Sequence, residues 1–198
     1  MPNNSATGGY LRPTANPTFP GGLTLTQFIQ SIIVGITGYD GTLVRPEWQP
    51  NPPKQPDVTV DWIAFGLKLA NPDFNAAVMT DAAGNTTSQR QQLLEIPVSF
   101  YGPNAIENIL EFQDGFQIHQ NLEVMESVSM GYRSITEAQR APDLVNGRWV
   151  ERMMCTLYLT WQVQRTYAIL SIESANGSIH TVVSGEDYNT DWQTPGVP

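Results

Sequence analysis

The chain has 198 residues, 40% of them hydrophobic and 10% aromatic, a composition that supports one folded domain and excludes a disordered chain. Its net charge of −9, with Lys54 and Lys68 as the only lysines, excludes a protein that works mainly by neutralising nucleic-acid phosphates. The single cysteine, Cys155, excludes an internal disulfide and a cysteine-cluster metal site, and no apolar run reaches the ~18 residues of a transmembrane helix.

The first 22 residues are rich in Asn, Thr, Pro and Gly, which predicts an extended arm. This arm lacks the basic and then apolar order of a secretory signal, so we expect synthesis in the cytoplasm. A helix follows, because Thr24 and Gln27 form a capping box and apolar residues recur at helical spacing from Leu25 to Ile36. Gly38 is expected to end this helix, whose apolar stripe should be buried.

Five prolines lie within eleven residues in the segment 46–56. Proline fixes φ at about −65° and lacks a backbone donor, so the segment can form neither a helix nor a central strand. It is also too stiff for a flexible linker, which predicts a polyproline II arm with Arg45 and Trp48 near its start. Trp and Arg dominate interface energetics, so the arm suits contact with another surface. Ordinary packing with guanidinium stacking is the alternative, both here and where Arg148 adjoins Trp149.

Residues 60–70 predict a strand, and residues 71–88 predict a polar excursion that forms a long hairpin tip or a loop. Residues 91–101 predict a second strand, in which Pro97 indicates an edge or a bulge. A second helix is expected after residues 102–104. Its apolar side carries Ile106, Ile109, Leu110 and Phe116.

The other side of this second helix carries Glu107, Glu111 and Asp114. No Lys or Arg occurs between Arg90 and Arg133, which indicates an acidic surface. A solvated face is one interpretation, and an acidic face directed at a pore or a basic neighbour is the other. The carboxylates could share a proton or a metal, but their place opposite the apolar stripe favours solvent.

Residues 127–139 alternate weakly and predict a strand, and Asn146-Gly147 predicts a hairpin turn. The clearest alternation follows in residues 152–164, which predicts a long half-buried strand. Its expected buried face consists of Met153, Cys155, Leu157, Leu159, Trp161 and Val163. Asn176-Gly177 predicts a second hairpin turn, and residues 188–198 predict an exposed tail.

Together these elements predict an α+β fold: a mainly antiparallel sheet with two helices packed on it, a proline-rich extended arm and a hairpin or loop excursion. The expected organisation is an N-terminal arm (1–22), one domain (23–184) and a C-terminal tail (185–198). Signs of catalysis are absent, since the sequence has no glycine-rich phosphate loop followed by Lys, no HExxH and no G-x-S-x-G. His119 and His180 are expected in surface positions, and we expect no enzyme activity, cofactor or metal.

Three composite strings resemble the phage neck terminator protein family. They are residues 44–56 followed by Asp61-Trp62, residues 99–105, and residues 142–149 continued by residues 164–167. The resemblance covers about residues 23–183 and leaves both chain ends outside. The resemblance implies a structural protein of a tailed bacteriophage, made in the bacterial host cytoplasm and located at the neck of the virion. It also implies a mixed sheet flanked by helices, and it carries over no catalytic residues.

Members of this family resemble tail terminators, which form rings, typically hexameric, that cap the tail tube and join it to the head connector. The expected partners are therefore other copies of the chain, a head-side connector, the tail tube and, in a contractile tail, the sheath. Genomic DNA would pass through without sequence-specific binding, and Glu107, Glu111 and Asp114 would line the channel and repel phosphate. The expected interface residues are Arg45, Trp48, Pro50, Pro52, Pro53, Lys54, Arg148 and Trp149. A carbohydrate- or receptor-binding tail module and a small hydrolase remain open as alternatives.

Overall fold

The computed structural model describes residues 9–70, 73–81, 86–145, 147–169, 176–183 and 186–193. After a short 3₁₀ turn at Pro20–Gly22, the elements in chain order are α1 (Leu25–Thr37), β1 (Val44–Pro46), β2 (Trp62–Phe65), β3 (Lys68–Ala70), β4 (Ala77–Thr80), β5 (Thr86–Tyr101), α2 (Ala105–Gly115), α3 (His119–Glu126), β6 (Met130–Ile135), β7 (Gln139–Arg140), β8 (Asp143–Val145), β9 (Arg148–Val150), β10 (Arg152–Tyr167), β11 (Asn176–Val183) and β12 (Glu186–Gln193).

One eight-stranded sheet organises the fold. Its strands lie in the order β1-β2-β5-β10-β6, with β3 and β4 paired to β5 and β7 paired to β10. The pairings of this sheet are antiparallel apart from the parallel pair β1–β2. The predicted α+β class with a mainly antiparallel sheet is confirmed, although the described residues form three α-helices where two were expected.

The core lies between the helices and one face of this sheet. β5 and β10 run antiparallel along their whole lengths, with Val98 opposite Cys155. The six alternate residues of β10 that were expected to be buried are all buried. They join Phe28 and Ile33 of α1 in one apolar cluster, whereas the intervening residues of β10 lie on the other face and stay partly exposed.

The first helix begins and ends where its sequence predicts. The backbone N–H of Thr24 donates to Gln27 Oε1 at 2.9 Å, and the backbone N–H of Gln27 donates to Thr24 Oγ1 at 3.3 Å, which completes the capping box. Gly38 follows the helix with φ +69°, a conformation that glycine adopts without steric cost, and its N–H donates to the carbonyl of Val34.

Pro97 lies in an interior strand beside a break in the neighbouring strands. β2 pairs with β5 as far as Phe65, and β3 resumes at Lys68, so the predicted strand 60–70 is divided into two. The break removes any need for a donor at Pro97, whose carbonyl still accepts from the N–H of Gly66 at 2.8 Å. The expected irregularity is present, but it falls in the partner strands.

The second helix buries a different side from the one expected. Its buried residues are Ala105, Ile109 and Phe112, with Phe116 just after its end, while Ile106 and Leu110 are about half exposed. The buried positions are spaced by four, three and four residues, so 106 and 110 lie ~100° around the helix from that stripe. The expectation that Ile106 and Leu110 face the core is wrong.

α3 was not expected, because only Met125 of its eight residues is buried and its apolar pattern is correspondingly weak. The strand expected over residues 127–139 is present as two shorter strands, β6 and β7, of which β6 shows a register shift against β10.

The two predicted hairpin turns have different outcomes. Asn146-Gly147 connects β8 and β9 as expected, although Asn146 lies outside the described residues. Asn176-Gly177 instead begins β11, which pairs antiparallel with β12. The tail expected from residue 188 onward therefore contributes most of a strand, and the remaining tail residues, 194–198, lie outside the described part.

The described end of the N-terminal arm lies against its own subunit. The backbone N–H of Thr14 donates to the carbonyl of Thr166 at 2.8 Å, and Ala15 forms an isolated bridge with the same residue. The ring of Phe19 lies 5.0 Å from that of Phe28 and 5.5 Å from that of Trp161. Residues 1–8 lie outside the described residues.

The polar excursion over residues 71–88 contains a hairpin, in which β4 pairs with the first residues of β5. This agrees with the expected hairpin, which was one of the two structures considered for this segment.

Candidate assembly interface

A row of stacked side chains crosses four strands on the sheet face opposite the helices. Arg45 of β1 lies 5.9 Å from the ring centroid of Trp62 on β2. The rings of Trp62 and Tyr101 are parallel within 6°, with centroids 4.2 Å apart, and Arg152 lies 5.4 Å from the Tyr101 ring. Cation–π and aromatic contacts of this kind each contribute about 0.5–1 kcal/mol, so the row ties one end of the sheet together.

Arg152 connects this row to the β8–β9 hairpin. Its Nη2 donates to the Ser99 hydroxyl at 3.1 Å, and its Nη1 lies 3.6 Å from a carboxylate oxygen of Asp143 at the start of β8. Burial raises the pKa of Tyr101, and the positive charge of Arg152 works in the opposite direction. The hairpin is thus held beside the aromatic row.

Arg45 folds the proline-rich segment back onto its own subunit. Its Nε donates to the carbonyl of Thr42 at 2.8 Å, and its Nη1 donates to the carbonyl of Lys54 at 2.9 Å. The N–H of Glu47 donates to the carbonyl of Phe65, which fixes the segment where it leaves β1. Residues 47–56, here called the proline loop, therefore form a closed loop, whereas the sequence indicated a projecting arm. The loop contains neither helix nor strand, as expected, while Arg45 and Pro46 belong to the edge strand β1.

The outer side of the proline loop carries the residues expected at an interface. Trp48 is 80% exposed, although an exposed indole leaves a large apolar surface in water. The other predicted interface residues of the loop are exposed as well: Pro50, Pro52, Pro53 and Lys54.

A cleft of about 800 Å³ brings the proline loop and the β8–β9 hairpin together. Lys54 lines the cleft from the loop, Arg148 lines it from the hairpin, and Trp62 of the aromatic row also lines it. Trp149, beside Arg148, is 72% exposed. The structure therefore brings one residue of each predicted interface group, Lys54 and Arg148, to one cleft, although they are about a hundred positions apart in sequence. Trp48 and Trp149 belong to the same two segments but are not among the residues that line the cleft. We use the name cleft surface for the lining residues Lys54, Trp62 and Arg148 together with these two neighbouring indoles.

The electrostatics of the cleft surface are mixed. Asp57 also lines the cleft, and its pKa is lowered by hydrogen bonds from the N–H and hydroxyl of Thr59 and further by the charge of Arg148. Among the described residues, the ion pairs are Arg140–Glu151 and Arg152–Asp143. Lys54 and Arg148 take part in neither, so the cleft lining carries two cations against one carboxylate, Asp57, and keeps a net positive charge for an external acidic group.

The acidic side of α2 is exposed, as the sequence indicated. Glu107, Glu111 and Asp114 are all exposed, and no Lys or Arg occurs on α2 or α3. Burial, followed by the charges of Asp61 and Glu111, raises the pKa of Tyr39 to about 12. The negative charge of Glu111 on α2 therefore acts on Tyr39 of a neighbouring segment.

The comparison with protein families decides among the functional classes. The model of the phage neck terminator protein family matches residues 23–185, which include the aromatic row, the proline loop, the β8–β9 hairpin and α2. The chain belongs to the phage neck terminator protein family. It is accordingly a structural bacteriophage protein of the neck that terminates the tail and contacts other virion proteins. A comparison with curated proteins finds no match to the chain.

The remaining candidate residues of this neck terminator stand apart from the cleft surface. Cys155 is buried in the core, and burial raises the pKa of its thiol to about 12. His119 begins α3 and His180 lies within β11, both exposed. Across the described ranges, no group of three or more His, Cys, Asp or Glu side chains is arranged to hold a metal. Where the structure is described, none of the helices has the length and apolar character needed to span a bilayer.

Sequence reasoning missed several residues that build the surface of this neck terminator. The sequence indicates Tyr101 and Arg152 only as strand residues, and Asp61 only as a residue near the start of the predicted strand 60–70. The Asp61 carboxylate accepts from the backbone and side-chain amides of Asn104 at 2.9 and 2.8 Å, which links the start of α2 to the segment before β2. A usable signal was present, because Asp61-Trp62 and residues 99–105 are two of the strings that carry the family resemblance.

Proposed function

We propose that the chain forms a ring at the phage neck, expected to be a hexamer, in which the cleft surface of one subunit contacts the next. The observation that carries the proposal is the pair of exposed indoles, Trp48 and Trp149, on segments held beside one cleft. Exposed aromatic side chains near cations are typical of interface residues that dominate binding.

The geometry of a ring requires a head-to-tail contact between two different patches on each subunit. The cleft surface supplies one patch and is shaped on a rigid base, because the aromatic row fixes both the proline loop and the β8–β9 hairpin. A preorganised loop loses little conformational entropy on binding, which favours a stable contact. The ring would join the head-side connector above to the tail tube below, with a sheath as a further neighbour in a contractile tail.

Genomic DNA would pass through the centre of this ring. A channel lined by carboxylates repels phosphate and gives DNA no surface on which to bind. The exposed row of Glu107, Glu111 and Asp114 supports α2 as the lining element, because it carries three negative charges and no cation.

The location and the ring are tested together by electron microscopy of phage particles and native mass spectrometry of the purified chain. We expect density for one ring of this chain between head and tail, and a closed oligomer in solution at high concentration or after addition of tails that lack the protein. A neck without a ring of this chain would overturn the proposal.

The channel assignment has its own test. Reversing Glu107 and Glu111 to Lys should leave the ring intact and slow genome ejection, because each subunit then offers DNA two attractive charges in place of two repulsive ones. Ejection is measured by the fluorescence of a DNA-binding dye on purified virions. A matched pair of reversals at Glu123 and Glu126 of α3 shows whether the effect belongs to α2. Equal ejection rates in the α2 variant and the wild type would remove α2 from the channel.

A further inference from the structure

The C-terminal hairpin, β11 with β12, stands apart from the rest of the described subunit. Within the described ranges, neither strand is hydrogen-bonded to the eight-stranded sheet, and no residue of the hairpin belongs to the core. An isolated two-stranded hairpin is at best marginally stable in water, so a hairpin of this kind gains stability by covering one of its faces.

The two faces of the hairpin differ in polarity. Residues paired across the strands share a face, so Ile179, Tyr188 and Trp192 lie together on one face and Ser178, His180 and Asp191 lie on the other. The Trp192 indole lies over Gly177, with ring atoms 2.9–3.0 Å from where a Cβ would stand, so a larger residue there would displace the indole. The apolar face carries one carboxylate, Glu186, which accepts from the Tyr188 hydroxyl at 3.0 Å.

We propose that this apolar face docks on the cleft surface of a neighbouring copy of the chain and closes the ring contact. The docking face offers exposed aromatic and aliphatic side chains with one carboxylate. The cleft is lined by the apolar residues Val58, Trp62 and Val150 and by two cations, Lys54 and Arg148, against one carboxylate, Asp57. The two patches are therefore complementary in both apolar character and charge. No Lys or Arg follows Arg165, so the hairpin carries Glu186, Asp187 and Asp191 and no Lys or Arg to oppose the contact.

The chain length keeps the base of the hairpin away from the cleft of its own subunit, so docking of the whole apolar face requires a second copy. The cleft lies at the Arg152 end of β10, and the hairpin follows the other end, Tyr167, 15 residues or about 50 Å along the strand. Nine Cα steps from Tyr167 to Asn176 reach at most about 32 Å. Trp192, at the base of the hairpin opposite Gly177, therefore cannot reach the cleft of its own subunit.

The inference rests on the proposed ring and is tested by charge exchange in the full-length chain. Arg148→Glu places two carboxylates at the contact, and Glu186→Arg places two cations there, so each variant alone should assemble at least about tenfold more weakly than wild type. Mixed in equal amounts, the two variants should assemble like wild type, because each contact between unlike subunits again joins one carboxylate with one cation. In half of these contacts the native Arg148 meets the native Glu186, and in the other half both positions are substituted and their charges are exchanged. The two variants alternate around such a ring, so the ring closes only with an even number of subunits. Native mass spectrometry measures that number directly.

Two matched controls use the opposite face of the same hairpin. Asp191→Arg makes the same charge change as Glu186→Arg but should leave assembly unchanged. Likewise, Ile179→Ser, at a position 53% exposed on the docking face, should weaken assembly, whereas Val182→Ser, at a position 66% exposed on the other face, should not. Circular dichroism and thermal unfolding verify that each variant is folded.

The outcomes separate this inference from the proposed ring. If Glu186→Arg assembles as well as Asp191→Arg while Arg148→Glu does not, the cleft surface is an interface but the hairpin is not its occupant. The same conclusion follows if the hairpin variants fail only in binding tails. If wild-type chain forms no ring in solution, on tails or in virions, the ring proposal itself fails.

Discussion

Replacing Trp48 with Ala separates a role in assembly from a role in folding. A tryptophan side chain offers ~200 Å² of surface, and Trp48 is 80% exposed in the subunit. Burial of that exposed part at an interface contributes up to ~4 kcal/mol at ~25 cal/mol per Å². Measured interface hot spots reach at least ~2 kcal/mol, so we expect the dissociation constant of one subunit contact to rise about 30- to 1,000-fold.

The isolated subunit should hardly change, because substitutions at exposed positions alter the free energy of unfolding by about 0.5 kcal/mol or less. Trp161→Ala gives the contrast, since Trp161 is buried in the core and its loss should cost about 3–5 kcal/mol of stability. Denaturant unfolding measures the stability of each variant, and native mass spectrometry over a concentration series measures its assembly. Tyr10→Ala is the control for a general effect of exposed aromatic residues, because Tyr10 is 95% exposed and lies outside the family match.

Two results would refute this reasoning. If Trp48→Ala unfolds the subunit, the indole belongs to the fold and the interface assignment is wrong. If the variant is folded and assembles at wild-type concentrations, the proline loop does not contribute to the subunit contact.

Two further predictions concern the fold. Gly102→Ala should lower the free energy of unfolding by about 1–3 kcal/mol, because Gly102 has φ +111° and a Cβ there would lie 2.7 Å from Asp61 Cα. Gly35→Ala in α1 should instead stabilise the chain by about 0.5–1 kcal/mol, because nothing lies within 4 Å of a Cβ at that position. Denaturant unfolding measures both effects. Burial raises the pKa of Cys155 from 9.0 and that of Tyr39 from 10.0, each to about 12, so the folded chain keeps protons that the unfolded chain loses. Their contribution to stability is complete below about pH 9 and should be lost as the pH rises through about 12, which unfolding curves at increasing pH measure, and a flat profile would contradict it.

The sequence predicts those parts of the fold that depend on neighbours along the chain. The capping box at Thr24 and the alternation along β10 are local patterns, and both have the predicted structure. The errors arise where distant contacts decide. Asn176-Gly177 has the local signal of a turn, but Gly177 instead gives space to the Trp192 ring across the hairpin. α2 buries Phe112 because of its contact with Phe100, which helical spacing alone does not reveal.

The proline loop shows the same limit at the candidate interface. Its stiffness follows from composition, but its direction depends on hydrogen bonds from Arg45 to two carbonyls nine and three residues away, and on the place of Arg45 over Trp62. Contacts within the subunit therefore fix the conformation of the proline loop before a partner binds.

That difference changes how the loop can work in a ring. A projecting arm would contribute its own length to the contact and would be ordered only on binding, at a cost in conformational entropy. A closed loop instead offers a fixed surface, so another segment of the chain must extend to the neighbouring subunit. The C-terminal hairpin has the properties of that element, since its apolar face is exposed and its base cannot return to the cleft of its own subunit. If the proline loop provides a fixed binding surface and the C-terminal hairpin extends to reach it, weakening the Arg45 contacts should change the shape of the cleft surface. Changes in the hairpin should instead alter only what binds to that surface.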